Sequence, residues 1–573
     1  MLIYLYAYMT YTCLSVVPFR FVLREEKGTM SKQKGFWILV ATILGSSMAF
    51  IDSSVVNVAL PRLQSELQAS ASSVQWVVES YALTLGALIL IGGSLGDLFG
   101  RKRIFMVGIV VFTLASIWCG FSQTIEQLIV ARAVQGIGGA LLTPGSLAII
   151  RSSFDSKERG KAIGTWSGFS AITSALGPVL GGWLVQNTSW RWIFFINIPL
   201  AIIVLVVSFL HLPESRSEEG SRHLDFPGAV LTALGLGGVV YGLIQAQNVG
   251  FGDPIVLTSI IGGVVALGLF IYTESRSPAP MMPLTLFRSR TFSGTNLLTL
   301  LLYAALGGAL FFLPFNLISV QGYSPTAAGA SLLPFTLLSF ALSRWSGGLV
   351  ARYGARLPLV IGPTIAAVGF VLFALPGLGG SYWLTYFPAV VVLGLGMTIT
   401  IAPLTTTVMG AVEDRYSGTA SGVNNAVARI AGLLAIAVLG LCVAAAFSSS
   451  LDSTIAALHL PADLQQTILA QHGRLTGIEI PNSVQGATRV AIHRAIDESF
   501  LAGFRLAMLV GAGLAFGSAL CALFFVSSPA KIPTHTGEHQ SGDNACTLTY
   551  AHQHVGDKGE VVAVNDVPAA TSK

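Results

Sequence analysis

Charge is the scarcest property of this chain. Only 10% of its 573 residues are Asp, Glu, Lys or Arg, and 53% are apolar, whereas soluble globular proteins carry about 25% charged residues. A fold of this size with so little charge is difficult to keep in water. We therefore expect lipid to be the solvent for most of the chain.

Further absences narrow the function. The five cysteines show no paired spacing and three of them lie inside apolar runs, so no disulfide framework is predicted. No stripe of Lys and Arg forms outside the inter-helix loops, which argues against a nucleic-acid partner. The sequence shows no P-loop, nucleophile elbow or metal motif. We therefore predict no enzyme, no catalytic residue, no metal ligand and no bound cofactor.

Long apolar runs are abundant after Met30. A membrane-spanning helix needs about 20 mainly apolar residues, and fourteen runs are long enough to supply one. They cover residues 36–60, 75–96, 103–122, 126–150, 162–185, 191–212, 226–246, 255–274, 292–319, 326–350, 357–377, 382–409, 418–447 and 502–527. The sequence therefore predicts an all-α polytopic membrane protein with 14 transmembrane helices.

The loops between these runs differ in charge. Among the short loops, six alternate ones hold every Lys and Arg except Arg62 and Arg191, which lie in the opposite set. Cytoplasmic loops of membrane proteins carry the excess of Lys and Arg. We therefore expect both termini to lie in the cytoplasm and the protein to sit in the cell (inner) membrane.

One short motif occurs twice between apolar runs. The first copy, Gly93–Arg103, reads GSLGDLFGRKR, and the second, Gly347–Arg356, reads GGLVARYGAR. At about 32 residues per helix and loop, the copies are about eight helices apart. Repeats of this kind are typical of transporters built from two related halves. Two six-helix halves plus an inserted pair, 226–246 and 255–274, account for the spacing.

This pattern divides the chain into segments. The first 29 residues are interpreted as an over-extended gene start, with translation beginning at Met30; the alternative is an extra hydrophobic helix. The other segments are an N-terminal half (30–212), the inserted helix pair with cytoplasmic linkers (213–291), a C-terminal half (292–527) with an external loop (448–501), and a disordered cytoplasmic tail (528–573). Residues 484–500 of the external loop have amphipathic helical spacing.

Several motifs resemble those of the major facilitator superfamily, specifically its fourteen-helix drug:proton antiporter branch. The resemblance extends from Phe36 to about Val526. It is carried by the loop motif with Gly93, Asp97, Gly100, Arg101, Lys102 and Arg103, by helix 1 (DSSVVNVALP, 52–61), by helix 4 (RAVQGIGGA, 132–140), by the antiporter motif of helix 5 with Gly177, Pro178, Gly181 and Gly182, and by the run WRWIFFINIP (190–199). Thr173 and Ala351 depart from the family pattern.

The resemblance implies proton-coupled efflux of lipophilic small molecules by alternating access, driven by the proton gradient. The expected partners are membrane lipid, a small-molecule substrate and protons, and loop 448–501 is a candidate contact for a periplasmic adaptor. Two alternatives stay open. One is an exporter or importer of a single metabolite, such as an amino acid, sugar or siderophore; the other is a non-transporting membrane sensor.

Three ionisable residues lie in the outer halves of their helices. Helix geometry places Asp52, Arg132 and Glu79 roughly 12, 9 and 6 Å from the external ends, so one shared layer is predicted. Buried intramembrane charges usually face one another or a cavity. We interpret the three as a proton relay with Asp52 as the protonation site; a static ion pair is the alternative. Arg429 is the corresponding charge in the second half.

Two motifs suggest moving parts. Gly93 and Gly100 are expected to permit a tight turn, and Asp97 is expected to pair with Arg101 in a latch; a turn that only fixes orientation is the alternative. In helix 5 the glycines form a smooth face and Pro178 removes a backbone donor. The candidates for lining a substrate pocket are Asn57, Trp76, Tyr81, Phe311, Phe312, Phe315 and Asn424.

Overall fold

Helices account for all the regular secondary structure in the part of the chain that the structure, a computed structural model, describes. The described residues are 32–216, 225–277, 280, 282–413 and 416–527. Within them, 13 helices are long and apolar enough to cross a membrane, and a bent pair makes a fourteenth. The prediction of an all-α membrane protein is confirmed. The predicted extension 1–29 and tail 528–573 lie outside the described residues.

The spanning helices follow the predicted runs closely. We number them α1 (Lys32–Glu66), α2 (Ala71–Phe99), α3 (Arg101–Phe121), α4 (Ile125–Ser153), α5 (Ser156–Asn187), α6 (Trp192–His211), α7 (Phe226–Val249), α8 (Pro254–Arg276), α9 (Arg290–Val320), α10 (Pro325–Gly347), α11 (Arg356–Ala374), α12 (Tyr382–Gly410), α13 (Ser417–Ala457) and α14 (Gly486–Phe525). The bent pair lies within α2, which turns by 49° between Ile89 and Ile91.

Local sequence explains where several helices begin and end. Ser70, Thr124 and Asp253 each cap a helix by accepting a hydrogen bond from a backbone N–H of the first turn. Gly100 and Gly250 end α2 and α7 with positive φ angles, which glycine adopts without steric cost. The polar residues between apolar runs therefore determine the helix boundaries.

Two helices are longer than the sequence predicts. α13 continues to Ala457 and α14 begins at Gly486, so the predicted loop 448–501 is largely helical. At 1.5 Å per residue each helix is about 60 Å long, twice the hydrocarbon thickness of about 30 Å. Residues 458–485 connect them through two short helices, Ala462–Leu469 and His472–Gly477. We call residues 458–485 the cap.

The helices pack as two six-helix halves. In the first half α4 packs against α2 and α3, and α1 packs against α5 and α6; in the second, α11 packs against α12 and α14, and α9 against α13 and α14. The halves meet where α5 contacts α10 and where α2 contacts α13. The inserted pair lies beside the second seam, since α7 packs against both α2 and α13 while α8 packs against α7.

The two ends of the bundle differ. At the end that carries the cap, the cap end, a Cβ on Gly182 of α5 would collide with the carbonyl of Pro325, and one on Gly329 with the carbonyl of Pro178. At the opposite end, where α1 begins and α14 ends (the terminal end), the Cβ positions of Gly160 and Gly164 on α5 have no atom of a described residue within 4 Å beyond their own helix backbone. α5 and α10 are therefore in close contact at the cap end, whereas at the terminal end the contact between the halves shown by the glycine positions is looser, with the Cβ position of Gly418 on α13 lying 3.7 Å from Nη1 of Arg151 on α4.

Candidate functional site

A buried charge pair lies inside the first half. Asp52 comes from α1 and Arg132 from α4, and Nη1 of Arg132 donates to Oδ2 of Asp52 over 2.5 Å. Both side chains are at most 1% exposed. The sequence-predicted contact between these two residues is therefore present in the structure.

Three donors hold the Asp52 carboxylate. Besides Arg132, Gln135 donates from Nε2 to Oδ1 over 2.7 Å, and Asn197 of α6 donates from Nδ2 to the same oxygen over 3.4 Å. Asn197 also donates to the hydroxyl of Ser116 on α3 over 3.0 Å. Gln135, Asn197 and Ser116 are completely buried. Asp52 thus has polar partners from α4 and α6, and Ser116 of α3 holds one of them, Asn197.

The guanidinium of Arg132 is also held on several sides. Its Nε donates to the carbonyl of Val77 on α2 over 3.1 Å, and its Nη1 donates to Oε1 of Gln135 over 2.7 Å. Its Cζ atom lies 4.2 Å from the ring centroid of Tyr81, at cation–π distance. Arg132 therefore connects α1, α2 and α4 through a single side chain.

This arrangement makes helix packing depend on charge. A buried ion pair is tolerable because each charge satisfies the other, and removing one charge leaves the second unpaired in a low-dielectric interior. A proton on Asp52 would neutralise its carboxylate and leave the Arg132 guanidinium without a counter-charge. The cluster is therefore chemically able to couple binding of a proton to the relative positions of α1, α2 and α4.

Glu79 lies at the depth of the charge cluster, between Val77 and Tyr81, which both contact Arg132, but its side chain is on another face of α2 and does not join the cluster. It is completely buried on α2, and neither carboxylate oxygen has a hydrogen-bond partner among the described residues. Tyr81, two residues further along α2, stacks on Arg132 instead. Two residues rotate a helix by about 200°, so Glu79 faces away from the pair.

Two predicted residues of the second half lie on α13. Arg429 lies near enough to Tyr81 of the first half for the two side chains to interact electrostatically. Asn424 donates from Nδ2 to Oδ1 of Asn296 over 3.1 Å and to the hydroxyl of Thr299 over 2.7 Å. Asn424 therefore ties α13 to α9, while Arg429 brings a positive charge towards the seam between the halves.

The predicted aromatic pocket residues are dispersed. Phe311, Phe312 and Phe315 are buried on α9 and pack against one another, with ring centroids 4.9 and 5.8 Å apart. An apolar cavity lined in part by Leu313 and Phe335 includes none of the three. The structure therefore places these phenylalanines in the packing of the second half.

The remaining pocket candidates lie in the first half. Asn57 is partly buried on α1, and its Oδ1 has no hydrogen-bond partner among the described residues. Trp76 on α2 lies against Tyr241 of α7, with ring centroids 6.1 Å apart. Among the described residues, neither side chain forms a hydrogen bond with Asp52 or Arg132, and the three phenylalanines lie in the other half.

The loop between α2 and α3 is tied to the end of α6. Asp97 pairs with Arg101 over 2.7 Å, as the sequence predicts. Glu214, just past α6, accepts a hydrogen bond from the backbone N–H of Lys102 over 3.1 Å and pairs with Arg103 over 3.5 Å. Lys102 donates in turn to the carbonyl of Phe209 over 2.9 Å.

Only one of the two glycines singled out in this loop is required by the turn. Gly100 has a φ of +113°, and a Cβ there would lie 2.5 Å from Oε1 of Glu214. Gly93 lies inside α2, where a Cβ would come no closer than 3.7 Å to Pro144. The expectation that Gly93 permits the turn is therefore wrong, because the turn begins only at Gly100.

The glycines of the antiporter motif pack against two different helices. A Cβ on Gly177 would collide with the hydroxyl of Ser54, and one on Gly181 would lie 3.0 Å from the carbonyl of Val55, so both glycines face α1. Gly182 faces Pro325 of α10 instead. The motif therefore allows close packing inside the first half and, at one position, between the halves.

Sequence reasoning assigned no role to Gln135, Asn197, Ser116 and Glu214. Gln135 lies three residues after Arg132, on the same helix face. Asn197 is an amide near the start of an otherwise apolar helix. The spacing of Gln135 and the position of Asn197 could have indicated buried polar partners of the charge pair. Nothing in the sequence distinguishes Ser116 from other serines or Glu214 from other acidic residues near a helix end.

Comparison with known proteins places the chain in a family. The profile of the Major Facilitator Superfamily matches residues 42–436. The chain is 33% identical over 494 residues to the tetracenomycin C resistance and export protein of Streptomyces glaucescens, covering 85% of this chain and 90% of that protein. It is 33% identical over 486 residues to the multidrug resistance protein Stp of Mycobacterium tuberculosis (strain CDC 1551 / Oshkosh), covering 82% and 88%.

Solved structures agree on the fold. A bacterial homolog of the human lysosomal transporter Spinster, in an inward-facing and unoccupied conformation, matches with a TM-score of 0.60 at 17% identity, covering 87% of this chain and all of that one. The xylose transporter XylE from E. coli matches with a TM-score of 0.52 at 13% identity, covering 87% and 98%. The chain therefore belongs to the Major Facilitator Superfamily and is a multi-pass membrane transporter, not an enzyme.

Proposed function

We propose that this transporter exports lipophilic small molecules, many of them cationic, in exchange for protons that bind at Asp52. The observation that carries the proposal is the buried Asp52–Arg132 pair with its three-donor carboxylate. The names of the similar proteins support the substrate class, since they describe resistance to and export of antibiotics. The proton gradient is the energy source.

The orientation belongs to the same proposal. The terminal end carries the Arg- and Lys-rich loop after α2, together with the loops that hold most of the basic residues. Because cytoplasmic loops carry this excess, the terminal end faces the cytoplasm and the cap end faces outward across the cell (inner) membrane. The described conformation, closed at the cap end, is then the inward-facing one.

The cluster supplies a two-state element for antiport. With Asp52 charged, the pair with Arg132 holds α1 against α4. With Asp52 protonated, Arg132 loses its counter-charge and the helices favour another arrangement. A cationic substrate and a proton compete, because each reduces the same negative charge. Proton loading from outside and release inside then drive the alternation between two accessible states.

Two moving contacts accompany the cycle. Gly182 and Gly329 allow α5 and α10 to close at the cap end without a leak. The loop with Asp97, Arg101 and Glu214 acts as the latch of the terminal end. Ala351 stands in place of the carboxylate in the second copy of the loop, so the latch is asymmetric.

The cap is the proposed contact surface for a periplasmic adaptor. Its apolar residues Leu475, Ile478 and Ile480 are buried against the transporter, and the carbonyl of Arg474 accepts a hydrogen bond from Gln64 of α1 over 2.7 Å. An adaptor would therefore contact the polar outer side of the cap. Co-purification of a membrane-fusion protein with the intact chain, lost when the exposed cap residues are substituted, is the test.

Everted vesicles test the exchange of protons for substrate. The vesicles carry a pH-sensitive dye, are energised, and receive a panel of lipophilic cations one at a time. The expected result is dequenching with several compounds, lost in Asp52→Asn. The matched control is Asp463→Asn, which changes an exposed aspartate of the cap and leaves dequenching at the wild-type level.

The outcomes separate the alternatives. Dequenching by a single natural solute, with silence across the cation panel, selects the single-metabolite transporter. Silence with all solutes, in vesicles whose proton gradient is intact, contradicts proton-coupled transport and leaves the sensor. Normal dequenching by a correctly assembled Asp52→Asn protein would overturn the assignment of the proton site.

A further inference from the structure

A second buried carboxylic acid lies at the seam between the halves. Glu79 of α2 is completely buried, and neither of its carboxylate oxygens has a partner among the described residues. An isolated ionised carboxylate in an apolar interior is far too costly to persist, so such a group takes up a proton. Glu79 is therefore neutral in the conformation described.

Neighbouring residues show which helices Glu79 faces. Gln75, one turn before it, exchanges hydrogen bonds of 2.9 and 3.3 Å with Gln247 of α7. Leu83, one turn after it, lies 3.3 Å from the Cβ position of Gly237 on α7. Residues four apart share one face of a helix. Glu79 therefore lies on the face of α2 that packs against the inserted helix.

The second half completes this seam. Leu433 and Ala437 of α13 form one apolar cluster with Leu236, Val240 and Ile244 of α7, and Trp76 and Leu83 of α2 pack against it. A Cβ on Gly440 of α13 would lie 3.0 Å from the amide nitrogen of Gln247. The seam thus joins the first half, the second half and the inserted pair, and it must change when the halves move.

The seam contains polar side chains at its cap end. Ser72 and Asn248 share a hydrogen bond of 3.1 Å at the outer margin, and Gln75 with Gln247 forms the next level inward. Glu79 follows about 10 Å from Ser72 by helix rise. The apolar cluster surrounds this level: Trp76 packs against it between Gln75 and Glu79, and Leu83 packs against it beyond Glu79, towards the terminal end. The polar ladder therefore leads from the cap end and stops at the unpartnered carboxyl group.

No charged group offers Glu79 an alternative partner. The ionisable residues in the middle of the helices packed against α2 are Asp52 on α1, Cys119 on α3, Arg132 on α4, Tyr241 on α7, and Arg429 and Cys442 on α13; His472 and Arg474 approach α2 from the cap. None of them forms a hydrogen bond with Glu79. Closure of the seam therefore requires a proton on the carboxyl group itself.

We propose that Glu79 is a second proton-binding site, reached from the cap end along the Ser72–Asn248 and Gln75–Gln247 ladder, whose protonation locks the seam of α2, α7 and α13 closed. The proton returns to the outside when the seam reopens, because the apolar side offers no polar route inward. Glu79 therefore makes the closure of the cap end sensitive to external pH without carrying a proton across. The inference rests on the alternating access of the proposed function, and not on the role of Asp52.

Spin labels across the cap end test this lock. The labels are placed at Asn187→Cys on α5 and Leu384→Cys on α12, both exposed, after the five native cysteines are replaced by alanine. The protein carries Asp52→Asn, which removes the other buried carboxylate of the first half. Distance distributions in lipid nanodiscs, with no pH gradient, report the ratio of closed to open cap ends from about pH 5 to about pH 9.

A single linked proton changes this ratio by at most tenfold per pH unit. The expected result is a closed population that falls as pH rises in Asp52→Asn, and a flat ratio when Glu79→Gln is added. Glu126→Gln, an exposed glutamate of α4, is the matched control and leaves the titration unchanged. If the glutamine variant fails to assemble, the pH titration is repeated with Glu79→Leu, because leucine is an apolar side chain that needs no hydrogen-bond partner in the seam.

The lock is overturned if the titration is identical with and without Glu79, or if the ratio is flat in Asp52→Asn alone. Failure of the proposed function is a separate result, since it appears in vesicles as silence with every solute, and failure of the Asp52 assignment appears there as proton-driven export by Asp52→Asn. The Glu79-dependent titration can therefore be judged whether or not Asp52 proves to be the coupling site.

Discussion

Asp52 and Glu79 are both fully buried carboxylic acids of the first half, and their surroundings are opposite. Asp52 accepts hydrogen bonds from Arg132, Gln135 and Asn197. Glu79 has no partner among the described residues. Burial alone therefore does not define a proton site. The donors around each group decide which protonation state the fold stabilises, and at these two positions they select different states.

The contrast gives the two groups different tasks. A carboxylate with three donors is stable when charged, so binding a proton there breaks contacts and favours movement. A carboxyl group without partners is stable only when neutral, so binding a proton there permits closure. The cluster would thus drive the cycle, and the seam would make one of its conformations sensitive to pH.

Arg132→Met should have the largest effect on stability. It leaves Asp52 buried without a charged partner, so that the surroundings of Asp52 become similar to those of Glu79. Removing one member of a buried ion pair costs about 3–5 kcal/mol of unfolding free energy. Equilibrium unfolding in mixed micelles near neutral pH measures the loss. The double variant Asp52→Asn/Arg132→Met should recover most of it; a double variant as unstable as the single one would contradict the pairing.

Gln135→Leu removes a donor to Asp52 and an acceptor for Arg132, and it leaves the charge pair in place. Each hydrogen bond to a charged group contributes about 1.5–3 kcal/mol, so we expect a loss of at least that size in the same unfolding measurement. The proton-dependent export rate should also shift its pH profile. Gln466→Leu, on the exposed face of the short cap helix, serves as the control, and an equal loss in both proteins would exclude a specific role for Gln135.

Gln75→Leu affects the neutral ladder beside Glu79. A bond between uncharged groups contributes about 0.5–1.5 kcal/mol, so the loss should be smaller than for Gln135→Leu. Replacing both Gln75 and Gln247 by leucine should restore stability, because neither amide is then left unsatisfied. A loss larger than that of Gln135→Leu would mean that the ladder, and not the charge cluster, holds the first half together.

Glu79→Gln should have the smallest effect on stability. The carboxyl group is already neutral in the closed seam, and the amide has nearly the same shape, so the unfolding free energy should change by less than about 1 kcal/mol. The same substitution should abolish the pH-dependent closure. A large loss of stability near neutral pH would instead show that the native group is charged and has a partner.

The sequence predicted the helices and the first charge pair because both depend on local or one-dimensional signals. Apolar run lengths located the spans, and depth along α1 and α4 brought Asp52 and Arg132 to one layer. Depth also places Glu79 near Arg132, but it cannot show which neighbour a side chain faces, because that depends on the rotation of α2 about its axis. Tyr81 turns towards Arg132 while Glu79 turns towards α7.

Other features depend on contacts between distant segments. The tie between Glu214 and the loop after α2 joins residues more than a hundred positions apart in the chain. The continuation of α13 and α14 beyond the membrane depends on their mutual packing, which apolar run length does not measure. Sequence patterns on single helices carry no information about such pairs.

Release of protons on substrate binding tests the central claim most directly. Purified protein in weakly buffered detergent solution is mixed, at a series of pH values, with a lipophilic cation that the vesicle assay identifies. If substrate and proton compete at Asp52, the wild-type protein acidifies the solution, Glu79→Gln does the same, and Asp52→Asn binds the cation without releasing a proton. Equal proton release by Asp52→Asn would contradict the account.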